Sequence, residues 1–151
     1  MDFRLTGEAI DTAALMAALG DTRAGACVTF EGRVRQENLG RPVRALDYEA
    51  YLPLAEKEGC KVVAEAREKF QLVGVLCVHR TGSLALGDLA VWVAVTAGHR
   101  PAAFDGCRYI IDEIKARLPI WKKEHYGDGE SEWVNCAAGG PARPPGRGKK
   151  K

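Results

Sequence analysis

Basic side chains recur in this chain at positions that simple packing or solvation does not fully explain. In the segment 101–118, Phe104, Cys107, Ile111, Ile114 and Leu118 project within roughly 80° of one another at about 100° per residue, and Lys115 falls inside or just beside that apolar stripe. Lysine is almost never fully buried without a partner, so Lys115 either snorkels to water or faces a cavity where its charge is wanted. Arg108 lies on nearly the same line of the helix. At the junction Thr96-Ala97-Gly98-His99-Arg100-Pro101, an apolar strand gives way to a helix with two basic residues at its start. Unpaired N–H groups and the positive end of the helix dipole suit a phosphate or carboxylate there, unless Arg100 pairs with a surface acid and His99 is an ordinary satisfied polar group. In Ile120 to His125, Lys122 and Lys123 point to opposite faces if the segment is extended, so one faces inward or protects a sheet edge. Arg33, Arg35, Arg41 and Arg44 add either a basic wall or a solvated loop. Together these groups describe an anion-seeking cleft with candidate lysine chemistry. No Walker loop, GxGxxG fingerprint, nucleophile elbow or paired-carboxylate site accompanies them.

The elements that must carry these residues alternate between strand and helix. Phe3 to Leu5 reads as a short strand, and Asp11 caps a small helix that runs to Leu19 and stops at Gly20. Cys27 to Arg35 alternates, with Val28, Phe30 and Val34 on one face, and Gly32 marks a bulge or close approach. Gln36 to Pro42 reads as a mobile loop joining this strand to a second at Ala45 to Tyr51, as a first hairpin. A helix follows Pro53 to about Phe70, then a strand over Val73 to Arg80 and a turn-rich TGSLALGD. Leu89 to Thr96 is a β-branched apolar run suited to a central strand. Pro101 opens the clearest helix and Pro119 closes it, and a last hairpin joins 120–125 to 132–135. These elements suit a single domain over 1–136 with packed helices and a mixed or antiparallel sheet.

Composition narrows the class further. A chain of 151 residues, 46% hydrophobic and 28% charged, is ordinary for a water-soluble globular domain, and no apolar run approaches the ~20 residues that span a bilayer. The N-terminus lacks the basic-then-apolar plan of a signal peptide, so the expected compartment is the cytoplasm. The net charge of +2 conceals a basic tail: Arg143, Arg147, Lys149, Lys150 and Lys151 face no acid, and without them residues 1–140 carry 17 basic against 20 acidic groups. Residues 137–151 are Gly/Pro/Lys-rich and read as disordered; their charge alone is no case for nucleic-acid binding. The five widely spaced cysteines form no CxxC pair, which fits reduced, mostly buried thiols rather than a disulfide framework or a metal site.

The blocks TFEGRVRQENLG (29–40), VHRTGSLALGD (78–88), VTAGHRPAAF (95–104), DEIKARLPIWKKE (112–124) and EWV (132–134), in this order and spacing, closely resemble the catalytic large subunit of molybdopterin synthase. That resemblance covers about residues 3 to 136 and implies an α+β fold with a hammerhead-like subdomain. It also implies a sulfurtransferase that converts cyclic pyranopterin monophosphate to molybdopterin. The sulfur would come from the thiocarboxylate at the C-terminal glycine of a ubiquitin-like small subunit, without a metal or dissociable cofactor. The implied assembly is a homodimer of large subunits within a heterotetramer.

Carried over by motif, the resemblance makes Lys115, from D-x-[IL]-K, and Lys122, from P-x-W-K, the catalytic lysines around the thiocarboxylate. Their ammonium groups would hold the anionic tail and stabilise charge as sulfur leaves the acyl carbon; a lysine crowded by cations could also lose its proton and attack that carbon. Arg35, from G-[RK]-V-R, together with His99 and Arg100, would bind the pterin and its phosphate. The sequence departs from the family after the W-V pair, where Asn135, Cys136 and Ala137 stand instead of a basic residue that reaches the partner. Arg143 would have to substitute, or that contact is missing. The competing readings are a non-catalytic scaffold for the ubiquitin-like protein and a nucleic-acid binder acting through the tail; no aromatic interleaving or known motif supports the latter.

Overall fold

The computed structural model describes residues 2–136 and the backbone of 140–141. Two sheets share the chain. The first has four strands, β1 (Phe3–Thr6), β2 (Ala26–Arg33), β5 (Gly74–Arg80) and β7 (Leu89–Ala97), in the order β1-β5-β7-β2. Only β1 and β5 run parallel, so the sheet is mixed. The second sheet runs β10-β9-β8-β4-β3, from β3 (Glu37–Asn38), β4 (Arg41–Ala50), β8 (Ile120–Tyr126), β9 (Ser131–Asn135) and β10 (Gly140–Pro141), with β6 (Gly82–Ala85) paired to β4. The α+β expectation holds.

Three helices complete the fold: α1 (Thr12–Ala18), α2 (Leu52–Phe70) and α3 (Arg100–Arg117). Asp11 caps α1 as its side chain accepts from the Ala14 amide at 3.1 Å. Val62, Val63 and Ala66 of α2 and Ile110, Ile111 and Ile114 of α3 pack with Phe3, Val75, Val93 and Val95 into the main core. β7 is buried almost from end to end, which is why its sequence is a continuous apolar run instead of an alternating one. A smaller core of Val34, Val43, Leu46, Leu84, Ala90 and Tyr126 bridges the two sheets. Gly32 marks the register shift of β2 against β7, where a Cβ would come within 2.6 Å of Val91 Cγ1.

Four expectations need correction. β2 and β4 do not form a hairpin; they lie in different sheets, and the hairpin is β3–β4, closed by Leu39 and Gly40 at positive φ. The segment 36–42 is therefore a tight turn with ladder pairing on both arms. The turn-rich 82–85 is a strand, because β4 offers it hydrogen-bonding partners from Ala45 to Tyr48. β8 is not an edge, since β4 and β9 flank it, so its lysines are not there to guard one. Phe104, placed in the apolar stripe of α3, is 62% exposed, and Ala103 and Ile110 take up the buried face instead. Of the five thiols, all free, Cys77 and Cys107 are buried and Cys27 is exposed. The tail reading for 137–151 lies outside the described residues except at 140–141, whose backbone pairs with β9.

Candidate functional site

A cavity of about 820 Å³ opens where the second sheet meets the end of α3 and the edge of the first sheet. Arg33 from β2, Arg35 just beyond it, His79 from β5, Lys115 from the last turn of α3 and Lys122 and Glu124 from β8 all line it, with Cys136 and Asn135 at the end of β9. Local structure explains how the lysines converge. Lys115 is one residue beyond the buried Ile114, so its stem runs past the core and its head reaches open space. Lys122 alternates with Trp121 and Lys123 along β8, which turns Lys122 to the cavity side while Lys123 stands over the Trp133 ring at 5.7 Å on the other.

Glu124 is the group that reasoning from sequence missed. It is 2% exposed, yet its carboxylate accepts from Tyr126 Oη at 2.6 Å and Asn38 Nδ2 at 2.5 Å and pairs with Lys122 Nζ at 3.0 Å. Burial pushes the carboxyl up, but those hydrogen bonds and the Lys122 charge outweigh it and hold Glu124 below the usual carboxylate range. A buried anion thus fixes the Lys122 ammonium in place. The available signal was the K-x-E spacing in β8, which puts both residues on one face. Cys136 also lines the cavity; burial pushes its thiol up, while Lys122 and Lys115 pull it back.

His79, 8% exposed, is a second missed residue; its Nδ1 lies 2.7 Å from the Arg80 carbonyl and its ring meets Tyr48 edge-on at 5.2 Å. Burial first, and then the Lys115 charge, lower its pKa to about 4, so the ring is neutral at physiological pH. Burial raises the Tyr48 hydroxyl well above its ordinary value, so it too stays neutral.

Of the five residues singled out from sequence, Arg35, Lys115 and Lys122 meet in this cavity. His99 and Arg100 do not line it. They stand exposed at the opposite end of α3, ~22 Å from Lys115 at 1.5 Å per residue. His99 is the N-cap residue in extended conformation without a side-chain cap bond, and among the described residues Arg100 has no ion pair with a surface acid. Arg41 instead stacks over the Tyr126 ring at 3.6 Å and pairs with Asp128 and Glu130. Arg108 is held at the surface by Asp112.

The fold and cavity define an α+β protein with a highly charged pocket, in which the basic side chains Arg33, Arg35, Lys115 and Lys122 face the acids Glu31, Glu37, Glu124 and Glu132 and a buried carboxylate positions Lys122. The family model for the MoaE protein matches residues 5–117. The molybdopterin synthase catalytic subunit of Nostoc is 39% identical over 137 residues, covering 90% of this chain and 83% of that one. Its counterpart in Pyrococcus abyssi is 44% identical over 119 residues, covering 79% and 80%. The crystal structure of molybdopterin synthase from Staphylococcus aureus superposes with a TM-score of 0.83 at 37% identity, over 89% of this chain and 98% of that chain. A complex of subunits 1 and 2 of the molybdopterin-converting factor from Helicobacter pylori, 20% identical with a TM-score of 0.71 over 89% of this chain and 90% of that chain, agrees in fold. The chain belongs to the MoaE protein family.

Proposed function

We propose that this chain is the large subunit of a molybdopterin synthase and performs sulfur transfer in molybdenum cofactor biosynthesis. It converts cyclic pyranopterin monophosphate to molybdopterin with sulfur from the C-terminal thiocarboxylate of a ubiquitin-like small subunit. The observation that carries this reading is the convergence of Lys115, Lys122 and Arg35 on one cavity large enough for a peptide tail beside a pterin. Lys115 and Lys122 hold the thiocarboxylate and stabilise negative charge on oxygen and sulfur during transfer. Arg35 contributes to the phosphate-bearing end of the pterin.

His99 and Arg100 cannot reach this cavity within one chain, so their role as pterin ligands requires a second copy to bring its α3 N-terminus to the first copy's cavity. A homodimer carrying two small subunits meets that requirement. The reading is tested by mixing the purified chain with cyclic pyranopterin monophosphate and a thiocarboxylated small subunit and measuring molybdopterin. Product formed by the wild type and not by Lys115→Ala supports it. Tight small-subunit binding without product supports the scaffold reading instead. Mixed dimers of His99→Ala and Lys115→Ala chains should recover part of the activity that each variant lacks alone.

A further inference from the structure

We propose that His79 is the general base of the cavity, its Nε2 taking the proton of the water that cleaves the acyl group from sulfur once sulfur is bonded to the pterin. The assignment rests on the sulfur-transfer reading above. It starts from hydrogen-bond accounting. The Arg80 carbonyl, 2.7 Å from His79 Nδ1, can only accept, so Nδ1 carries the hydrogen and the lone pair of the neutral ring is on Nε2. That nitrogen has no hydrogen-bond partner among the described residues, and it is not one of the side-chain atoms that are both sealed and unpartnered there, which are Arg80 Nε, Thr96 Oγ1 and Trp121 Nε1. A side chain more than nine-tenths buried thus turns one free acceptor to the cavity, where a water can reach it.

The surroundings favour this chemistry. The edge-on Tyr48 ring and the Arg80 carbonyl fix the plane of the imidazole. Burial and the Lys115 charge keep the lone pair free at neutral pH while weakening the ring as a base. An anionic tail entering beside Lys115 offsets that charge and restores the smaller, electrostatic part of the lost basicity, burial being the larger cause. The other candidate base, Glu124, already accepts from Tyr126, Asn38 and Lys122.

The step balances without an oxidant or reductant. Sulfur bonded to the substrate carbon while still attached to the tail is a thioester. The water oxygen bonds to the acyl carbon, the carbon–sulfur bond breaks, and its electron pair leaves on sulfur as a thiolate beside the lysines. One water proton passes to Nε2 and on to the thiolate, and the other is lost as the tail becomes a carboxylate.

Single turnovers of His79→Gln and His79→Ala, followed by intact-mass spectrometry beside the wild type, test the assignment; Gln conserves size and can still donate to the Arg80 carbonyl. The expected result is a small-subunit–pterin thioester that accumulates in both variants and decays at least ~100-fold slower than in the wild type. No adduct in either variant, or an adduct that decays at the wild-type rate, overturns the role of His79. A wild type that makes no product overturns the sulfur-transfer reading and the assignment with it.

Discussion

Replacing Glu124 with glutamine tests whether a buried carboxylate holds Lys122 in its working position. The two Oε2 contacts come from Tyr126 Oη and Asn38 Nδ2, and Lys122 Nζ approaches Oε1. A glutamine amide has one acceptor and one donor end. If its oxygen faces Lys122, its NH2 meets Tyr126, which can rotate its hydroxyl to accept, and the Asn38 NH2, which can accept only by flipping its amide. The variant therefore loses the charge from a charge-assisted pair and either leaves one part-buried donor unpaired or forces Asn38 to turn over, costing about 2–4 kcal/mol together. For a chain of this size that is a fall of roughly 6–12 °C in Tm. The pH dependence follows from the lowered carboxyl: its stabilisation is fully present above the unfolded-state pKa of ~4.3 and is lost as pH falls through the lower folded-state value. Urea denaturation of both proteins at matched concentration should show a constant gap between pH 7 and 5 that closes below ~4. A gap under ~0.5 kcal/mol at pH 7, or one that persists unchanged into strong acid, would refute the idea that this network is an ionised buried cluster.

Three further outcomes follow from the same structure. Lys115→Ala should abolish product while moving Tm by less than ~2 °C, because the side chain is exposed and has no ion-pair partner among the described residues; a large loss of stability would assign Lys115 to packing. Gly59→Ala and Gly106→Ala both gain helix propensity of ~1 kcal/mol, but the new Cβ at 59 would sit 2.3 Å from the buried Phe3 ring while that at 106 meets the end of Leu72 at 2.9 Å. Denaturation should therefore show Gly59→Ala clearly destabilised and Gly106→Ala near neutral. Arg117→Ala removes the bridge from α3 to Glu58 and Glu65 of α2, and its loss of Tm should be distinct at low salt and reduced but still present in ~1 M NaCl, because these half-buried pairs are only partly screened.

The elements that sequence reasoning located are those whose signals are local. Asp11 ahead of α1, Pro101 at the start of α3 and the apolar run of β7 each carry their physical cause within a few residues. What failed was partner choice. β2 and β4 look like a hairpin because each alternates and a polar segment separates them, yet the Leu39-Gly40 turn reverses the chain one strand later, and β4 joins β8 instead. Strand pairing across 70 or more positions leaves no trace in the pattern of either strand alone. Phe104 failed for a related reason: helical periodicity defines a stripe but not its borders, and the neighbouring strands decide that Ala103 faces inward.

The site divides along the same line. Lys115 was recognisable because a cation beside an apolar stripe conflicts with local burial, and the cavity at the end of α3 resolves that conflict. Glu124 and His79 produced no such conflict, since an acid in a charged strand and a histidine near a turn look ordinary until tertiary structure seals one against Asn38 and Tyr126 and the other against Tyr48. The cations were visible because their cost is local; the residues that set their geometry were hidden because their cost exists only after folding. By that logic His99 and Arg100 belong with Lys115: two basic residues exposed at a helix N-terminus, with no acid paired to Arg100 among the described residues, are a local electrostatic conflict that a single chain leaves unresolved. An anion held at that helix start would resolve it.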